Sequence, residues 1–482
     1  MHIHLTLKNA RYQQFINMIL GRICAWIIST INWLFRPNSR RLLRNVPEAK
    51  EVSSSRVTMT EIVLPSHADT RGFVFGGVVL EWIDLAAGTS AKKHAVYPCV
   101  SRSVDAVHFM HPIRVGDFLI IQASVNRAWN TSMEVGVRVE TENAITGKRR
   151  YCCHAYLTFV ALSPGNDKRA GSPRYNTTTA KVPRIISVTP IEQQRYDNAE
   201  TRRQARVTKL KHTDDKGHRE QHKLEALREL MREWSEHRNT ETKSTAELPP
   251  LLQEPETYNE QNEEGGTDAN DPAKLYLTRR RSTLKGVFPA QPESKYISES
   301  FAEIVETVLP QHANTLQITF GGQIMKWMEH CCFVSASRHS RRFLLLASID
   351  SLQFFRPTYV GDCITIRSII SRSFHSSMEA YVSVEAVNLM TGERFFTNDG
   401  FYTMVAVDFA NAPTPVSNLI PDREEEHEIY KGAEVRRTLR LQQRRELVQK
   451  EMATHPEEFE KTQDTNFDSI SEQKNYNIVS TS

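Results

Sequence analysis

The segment Val-Leu-Pro-Ser-His-Ala-Asp-Thr-Arg-Gly-Phe-Val-Phe at residues 63–75 recurs as Val-Leu-Pro-Gln-His-Ala-Asn-Thr-Leu-Gln-Ile-Thr-Phe at residues 308–320. A pair of glycines follows each segment, and after the glycines come Trp-Ile-Asp at 82–84 and Trp-Met-Glu at 327–329. The chain therefore carries one extended pattern twice, and this duplication decides its fold.

The two copies keep a constant spacing over the length of a domain. His67 and His312 are 312 − 67 = 245 positions apart, and Gly147 and Gly392 have the same offset, 392 − 147 = 245. The copies can thus be aligned over this span without a gap. Solenoid repeats have much shorter periods, so the pattern indicates duplication of a whole folding unit.

Composition narrows the class of protein. The 482 residues suffice for two or three domains, and 39% hydrophobic with 24% charged residues is typical of a globular protein with polar inserts. A net charge of +4 is too small to indicate nucleic-acid binding. The seven cysteines include no Cys-x-x-Cys spacing, so we expect neither a zinc site nor a disulfide framework. This usage is typical of a reducing compartment. We expect no cofactor either.

Residues 1–50 form a basic leader in which no Asp or Glu precedes Glu48. Polar residues within 11–36 fall near one helical face and leave a broad apolar side. Three interpretations remain open: a mitochondrial presequence, an interfacial helix that contacts a membrane, and a spanning anchor with Arg22 near its middle. The expected compartment is the cytoplasm or the mitochondrial matrix, and the basic, acid-free leader favours the latter.

Each copy shows the same order of predicted elements. A helical apolar spacing begins after the paired glycines and runs to Lys93-His94 in the first copy. Strand-like runs follow, for example at 118–125 and 151–162. One helix followed by several strands predicts an α+β domain in which the helix packs on an antiparallel sheet. We place the two domains at residues 55–165 and 301–410.

The linker between the domains, residues 166–300, differs from them in composition. A charged segment at about 192–238 is rich in helix formers and is predicted to be a basic helix. A stretch at 240–271 is rich in Glu, Thr, Asn and Pro and is predicted to be disordered.

Residues 411–482 are predicted to hold a trailing basic helix and a tail. Residues 430–440 match residues 196–206 of the linker at an offset of 430 − 196 = 234. Each repeated unit is therefore a core domain followed by a basic helix.

The positions where the copies differ are the ones that could carry chemistry. Asp69 stands against Asn314, and Asp84 against Glu329. Glycines at a helix start expose backbone N–H groups that can stabilise an oxyanion, and an acid further along the helix can face the same pocket as a base. The alternative interpretation is a glycine-rich helix start that serves only tight packing, with Asp84 solvated.

These motifs resemble those of the acyl-CoA thioesterases of the tandem hotdog type, in particular the brown-fat-inducible and cytosolic acetyl-CoA hydrolase branch. The resemblance implies two hotdog domains in tandem, each a long helix wrapped by an antiparallel sheet. Vertebrate members of the branch carry a C-terminal lipid-binding START domain, which we do not expect here. The residues that carry the resemblance include His312-Ala313-Asn314, Phe320-Gly321-Gly322, Trp327-Met328-Glu329, Trp82-Ile83-Asp84, Ser103-Val104-Asp105, and Ser-Met-Glu at 132–134 and 377–379.

The resemblance also implies one active site shared between the two domains. Asp84 would act as base or nucleophile, and the amide of Asn314 would orient the thioester or the attacking water. The backbone N–H groups of Gly321 and Gly322 would bind the thioester oxygen as it becomes negative. Because a thiolate leaves readily, neither a metal nor a strong general acid is needed.

The complementary set of residues forms a second, degenerate site. It pairs Asp69 with Glu329 beside Gly76 and Gly77, and it lacks the neutral amide. Two carboxylates placed together would repel each other, and one would be driven toward protonation. We expect this site to be weak, inactive, or used to bind CoA without turnover.

CoA binding is assigned partly by charge and partly by the resemblance. Guanidinium groups suit phosphates, so Arg202 and Arg203 of the linker helix are candidates, with a solvated charged face as an equal alternative. Arg436 and Arg437 are their equivalents in the trailing helix. The resemblance adds contacts at strand edges and one turn, at Arg102, Ser103, Val104, Thr131, Ser132, Met133, Ala347, Ser348 and Ile349.

Three functions are compatible with these residues. Hydrolysis of acyl-CoA to free fatty acid and CoA is favoured, because the pair Asn314 and Asp84 is complete. A hotdog hydratase would need a histidine placed as acid/base partner, and neither helix carries one in such a place beyond Glu329-His330. A non-catalytic acyl-CoA sensor or scaffold is the third. The resemblance further implies a homotrimer of double hotdogs and regulation by ATP or ADP.

Overall fold

The computed structural model describes residues 47–164, 177–211, 218–241 and 292–454. Most of the basic leader, including the predicted membrane contact at 11–36, lies outside these residues, as does the acidic stretch beyond Glu241. The interactions described below all lie within Lys50–Ser482. In the described part of the chain, no helix combines the length and apolar character needed to cross a bilayer.

The first half of the chain has one long central helix, α1 (Gly76–Ala95). Its strands in chain order are β1 (Ala49–Glu51), β2 (Val57–Ile62), β3 (Cys99–Val104), β4 (Val107–His108), β5 (Phe118–Ala128), β6 (Ser132–Glu142), β7 (Arg149–Pro164), β8 (Thr177–Thr179) and β9 (Arg184–Ile186). The linker then contributes the helices α2 (Pro190–Lys211) and α3 (His218–Glu241).

The second half repeats this order around its own central helix, α4 (Gly321–Ser340). Its strands are β10 (Ser294–Tyr296), β11 (Ala302–Thr307), β12 (Phe343–Ile349), β13 (Leu352–Gln353), β14 (Asp362–Ser373), β15 (Ser377–Asn388), β16 (Arg394–Val407) and β17 (Asn418–Ile420). A long trailing helix, α5 (Glu424–Thr454), follows.

The central helices are apolar on most of their surface because they are enclosed. Val78, Val79 and Leu80, three consecutive residues of α1, are all buried although each points about 100° around the helix from the one before it. On one side α1 packs against β5 and β6, and on the other it packs against α4. The predicted α+β class, with a long helix wrapped by an antiparallel sheet in each half, is confirmed.

The two halves exchange short strands. The main path of the first sheet is β13-β3-β7-β6-β5-β2, and that of the second is β11-β14-β15-β16-β12-β4. Each path therefore ends in a two-residue strand from the opposite half. Leu352 of β13 pairs with Val104, and His108 of β4 pairs with Ser348. The exchange locks the halves in one relative position.

The central helices cross at paired glycines. A Cβ atom added at Gly322 would lie 2.7 Å from Cα of Glu81, and one added at Gly77 would lie 2.8 Å from Cα of Lys326. Nearby, Nζ of Lys326 and Oε2 of Glu81 form an ion pair of 2.9 Å. These two residues are equivalent by the repeat offset, 326 − 81 = 245. Two identical halves would bring like charges together here, so the ion pair favours association of unlike halves.

The basic helices are attached to their domains by buried ion pairs. Glu134 is fully buried, and Arg202 and Arg206 of α2 contact it at 2.6 Å and 3.2 Å. The equivalent Glu379 pairs with Arg436 of α5 at 2.6 Å. Removing one partner of such a pair would leave a buried charge uncompensated. Both helices are therefore integral parts of the folded halves.

The linker packs a further helix on the second half. The sequence predicts one basic helix at about 192–238, whereas the structure has α2 and α3, with residues 212–217 outside the described part. Leu227 of α3 is buried, and Nη1 of Arg228 lies 3.0 Å from Oδ2 of Asp399. The linker thus contributes buried surface to the second domain.

Candidate active site

Asp84 and Asn314 line one cavity, although 314 − 84 = 230 positions separate them. Asp84 is contributed by α1, and Asn314 by the loop that precedes α4. Ser101 of β3, Phe320 and Gly321 complete this part of the wall. The helix crossing and strand exchange bring the two halves of this site together.

Three neighbours hold or tune the carboxylate of Asp84. Oγ of Ser101 donates to its Oδ1 at 2.6 Å, and the N–H of Gly322 donates a second hydrogen bond. Burial raises the pKa of Asp84, while these two hydrogen bonds and the charge of Lys92 lower it. A carboxyl group whose pKa is raised and whose position is held is suited to accept a proton near neutral pH.

The two N–H groups at the start of α4 differ in their surroundings. The N–H of Gly322 is directed at Asp84, whose pKa it lowers, so its predicted contact with the thioester oxygen competes with this carboxylate and stays a prediction. Gly321 is the first residue of the helix, so its N–H has no intrahelical acceptor. A Cβ atom at Gly321 would lie 3.0 Å from Oγ of Ser101. Glycine therefore allows the helix end to approach β3 closely.

Asn314 presents its amide nitrogen because its oxygen is already used. Oδ1 accepts hydrogen bonds from the N–H groups of Leu316 at 2.8 Å and Ile318 at 3.2 Å. Nδ2 makes no hydrogen bond to any residue that the structure describes, and Asn314 lines the cavity. The loop thus orients the side chain so that a neutral donor is available beside Asp84.

In the equivalent second site, Asp69 is neutralised by its own loop. Its Oδ2 accepts from Nε and Nη2 of Arg71 at 3.1 Å and 3.0 Å, and its Oδ1 accepts from the N–H of Phe73 at 2.9 Å. The expected repulsion between Asp69 and Glu329 is therefore wrong. The expectation did not include Arg71, which neutralises Asp69. In the loop that holds Asn314, the equivalent residue is Leu316, 316 − 71 = 245.

Glu329 is isolated by burial rather than opposed by a carboxylate. Its side chain is 2% exposed, it accepts a hydrogen bond from the N–H of Gly77, and its Oε2 has no partner among the described residues. Burial raises the pKa of Glu329 to about 8. Near neutral pH this group is therefore mostly protonated and is a poor base.

In the second half, an apolar side chain stands at the position from which Ser101 holds Asp84 in the first half. Leu346 occupies the position equivalent to Ser101, 346 − 101 = 245. A Cβ atom added at Gly76 would lie 2.3 Å from Cδ2 of Leu346, so this leucine packs closely on the start of α1. Gly76 and Leu346 line a cavity of their own, but Glu329 is not part of its wall. The site at Glu329 thus lacks both the hydroxyl and the cavity access found at Asp84.

Known proteins share the sequence of both halves. A family model described as the Thioesterase superfamily matches residues 71–148 and 316–393, once in each half. An uncharacterized acyl-CoA thioester hydrolase of Bacillus subtilis is 34% identical over 154 residues, which are 32% of this chain and 90% of that protein. The chain belongs to the Thioesterase superfamily. A relative whose length corresponds to a third of the chain agrees with duplication of a complete domain.

Larger relatives match both halves at once. Mouse acetyl-coenzyme A thioesterase is 29% identical over 395 residues, which are 81% of this chain and 58% of the mouse protein. The chain thus spans little more than half the length of this curated relative. A crystal structure of an acyl-CoA hydrolase from Bacillus cereus is 34% identical, covers 34% of this chain and 98% of its own, and has a TM-score of 0.32.

The arginines predicted to bind CoA phosphates differ in availability. Arg202 is engaged by buried Glu134, and its guanidinium carbon lies 3.7 Å from the ring centroid of Tyr156. It therefore attaches α2 to the domain rather than presenting a free cation. Arg203 is 46% exposed and lies over the ring of Trp129 at 5.0 Å. Of the two, Arg203 remains open to a phosphate.

The strand edges predicted to bind pantetheine are already paired. Ser103 and Val104 pair with β13, and Ser348 and Ile349 pair with β4. Backbone pairing with CoA at these four residues is therefore ruled out in this conformation, because the exchanged strands occupy the edges. Met133 is fully buried in the core. The residues on which the CoA prediction rests do not show that strands are exchanged between the halves.

The other predicted CoA contacts also lie off the Asp84 cavity. The carbonyl of Arg102 accepts from the N–H of Phe354 at 2.9 Å, and that of Ala347 accepts from Phe109 at 2.9 Å. In the hairpin between β5 and β6, the carbonyls of two further residues accept backbone hydrogen bonds; they are Thr131 and Ser132. None of these residues lines the cavity that holds Asp84.

Ser101 and Arg71 act on the two sites and were missed by sequence reasoning. Neither belongs to a recognisable motif. A signal was present, because each stands against a leucine in the other copy: Leu346 for Ser101 and Leu316 for Arg71. A polar residue in one copy whose equivalent in the other copy is apolar marks divergence of function as clearly as the acidic positions do.

Replacing Glu329 by glutamine is expected to stabilise the protein increasingly as the pH rises. The pKa of Glu329 is raised from 4.5 to about 8, so between these values the folded state keeps a proton that the unfolded chain releases. Stability falls through this window by up to about 1.4 kcal/mol per pH unit, and the loss is complete above the folded pKa. Glutamine does not titrate, so the variant lacks this pH-dependent loss of stability.

The measurement is denaturant unfolding of both proteins at pH 5 and pH 9. Glu393, which is 48% exposed, provides the matched control as Glu393→Gln. A stability difference between Glu329→Gln and the unmodified chain that does not grow with pH would contradict the assignment.

Proposed function

We propose that the chain hydrolyses acyl-CoA thioesters to a free acid and CoA at the cavity shared by its two halves. The observation that carries the proposal is the buried carboxylate of Asp84, held by Ser101, in one cavity with Asn314 and the first residue of α4. Relatives named as acyl-CoA thioesterases and thioester hydrolases support the same chemistry.

Asp84 is the general base of the proposed reaction. A water molecule passes a proton to its carboxylate as the water oxygen adds to the thioester carbonyl carbon. Ser101 and the N–H of Gly322 keep the carboxylate in one orientation. The amide of Asn314 donates to the water or to the thioester and so fixes the direction of attack.

The start of α4 stabilises the charge that develops. The carbonyl oxygen becomes an oxyanion, and the N–H of Gly321 donates to it at the positive end of the helix dipole. When the tetrahedral intermediate collapses, the C–S bond breaks and its electron pair stays on sulfur. The proton held by Asp84 passes to that thiolate. Because thiols have a pKa of about 8.5, little general acid catalysis is required.

A thiol-release assay tests the proposal. Acetyl-, hexanoyl- and palmitoyl-CoA are supplied in turn, and free CoA is detected with a thiol-reactive chromophore. We expect release from at least one chain length at a rate far above the buffer blank. Tight binding of CoA without release from any thioester would instead support the sensor function.

Expectations on assembly, regulation and compartment remain proposals that rest on the resemblance. We infer a homotrimer of double hotdogs, regulation by ATP or ADP, and residence in the cytoplasm or the mitochondrial matrix. A mouse relative named cytosolic acyl coenzyme A thioester hydrolase, 23% identical over 378 residues, supports the cytoplasm. The segment that would direct mitochondrial import lies outside the described residues.

A further inference from the structure

The cavity at Asp84 continues along one face of α1. Leu85, Gly88 and Lys92 follow at helical spacing and belong to its lining. The facing wall is formed by Cys99, Val100 and Phe159. Most of these side chains are apolar, which is the lining expected of a pocket that receives hydrocarbon.

Gly88 keeps this pocket open. A Cβ atom added there would lie 3.5 Å from Cε1 of Phe159, so a longer side chain would occupy the cavity itself. The equivalent residue of α4 is Phe333, 333 − 88 = 245, whose ring packs against Phe75 with centroids 5.2 Å apart. The position that is open beside Asp84 thus holds the Phe333 ring in the second half, and the cavity of that half, lined by Gly76 and Leu346, includes neither Phe333 nor Glu329.

Lys92 places a positive charge in the wall of the pocket. Its backbone lies eight residues beyond Asp84, about 12 Å along the helix axis, but its charge acts on Asp84 and lowers the pKa of that group. Its Nζ lies 5.9 Å from the ring centroid of Phe320, and it forms no ion pair or hydrogen bond with any residue of the described ranges. The equivalent residue of α4 is the uncharged Ser337.

We propose that this pocket receives the acyl group and that Lys92 binds a carboxylate at the ω end of that group, so that the preferred substrates are short ω-carboxyacyl thioesters of CoA. This inference rests on the proposed function and adds the substrate class to it. Succinyl-CoA and glutaryl-CoA have the required chemistry.

The charge of the pocket favours this occupant over a neutral chain. A neutral chain would withdraw water from the ammonium group without replacing its hydrogen bonds, which is unfavourable. A carboxylate forms a charge-assisted hydrogen bond with it. The phosphates of CoA would call for several cations, and Lys92 is the only Lys or Arg in the lining of this cavity.

The test compares pairs of thioesters that differ only in the terminal group. The ratio of kcat/KM for glutaryl-CoA over pentanoyl-CoA is measured for the full chain, Lys92→Met, Lys92→Arg and the matched control Ser337→Met. The pH is kept well above the pKa of Asp84, so that loss of the lysine charge does not act through the base. Thermal unfolding confirms that each variant is folded.

We expect a ratio of about 10 or more in the unmodified chain and in Ser337→Met, retention with Lys92→Arg, and a fall to about 1 or below with Lys92→Met. Equal loss for both substrates in Lys92→Met, with weaker inhibition by free CoA, would overturn the inference by assigning Lys92 to a phosphate. A preference of the unmodified chain for pentanoyl-CoA would also overturn it. In both cases hydrolysis itself persists, whereas absence of thiol release from every thioester would reject the proposed function.

Discussion

Replacing Asp84 by asparagine is expected to lower kcat for acyl-CoA hydrolysis by about 10²–10⁴-fold, the usual contribution of a general base. Asparagine has nearly the same shape, and its single amide oxygen can still accept from Ser101, so the cavity should persist. The replacement removes only the ability to take a proton from water. Steady-state thiol release measures the effect.

The matched control is Glu329→Gln, the same change in the equivalent position of the second site. Its kcat is expected to stay close to that of the unmodified chain, because Glu329 is buried outside the cavity lined by Gly76 and Leu346 and holds its own proton near neutral pH. Loss of hydrolysis in Glu329→Gln together with full activity in Asp84→Asn would show that the active site has been assigned to the wrong half.

Replacing Gly322 by alanine is expected to reduce both stability and activity. The added Cβ would lie 2.7 Å from Cα of Glu81 and 2.8 Å from Cβ of Asp84. The first contact is with backbone, so the central helices would have to separate. Overpacking of this kind costs about 1–3 kcal/mol. The second contact would displace the carboxylate from Ser101, and kcat should fall with the free energy of unfolding.

Gly88→Ala is the matched control for stability, because it also replaces a glycine within a central helix. Its Cβ would lie 3.5 Å from Phe159, which is ordinary van der Waals contact. Alanine in a helix interior is favoured over glycine by about 1 kcal/mol. We therefore expect unfolding in denaturant at higher concentration for Gly88→Ala and at lower concentration for Gly322→Ala. Equal stability of the two variants would mean that the helix crossing tolerates a side chain.

The pairing of Asp84 with Asn314 could be predicted because it depends only on the spacing of the repeat and on the residues that differ between the copies. The repeat offset identifies equivalent positions, and the difference between Asn314 and Asp69 selects one of two combinations. The resemblance to tandem hotdog thioesterases then supplies the rule that a site takes residues from both copies. None of these steps requires knowledge of side-chain directions.

The surroundings of the oxyanion donors and of the second site could not be predicted from residue types, for one physical reason. A backbone N–H at a helix start is available only if no neighbouring acceptor reaches it, and Asp84 reaches Gly322. Similarly, the charge balance at Asp69 depends on Arg71, which lies two residues away but contacts it only because the loop turns back. Competition among nearby partners is decided by geometry, not by residue type.

The duplicated segment at 63–75 and 308–320 by itself determined that the chain consists of two α+β domains whose chemical residues have diverged. Local patterns of apolar spacing, glycine and charge carry that information because helices and strands form from neighbouring residues. Only the tertiary structure decided which edges are free, since strands β4 and β13 cross between halves, and which pocket is open, since Gly88 and Phe333 face different surroundings. Contacts across 245 positions depend on packing, where a shift of one side chain opens or fills a cavity.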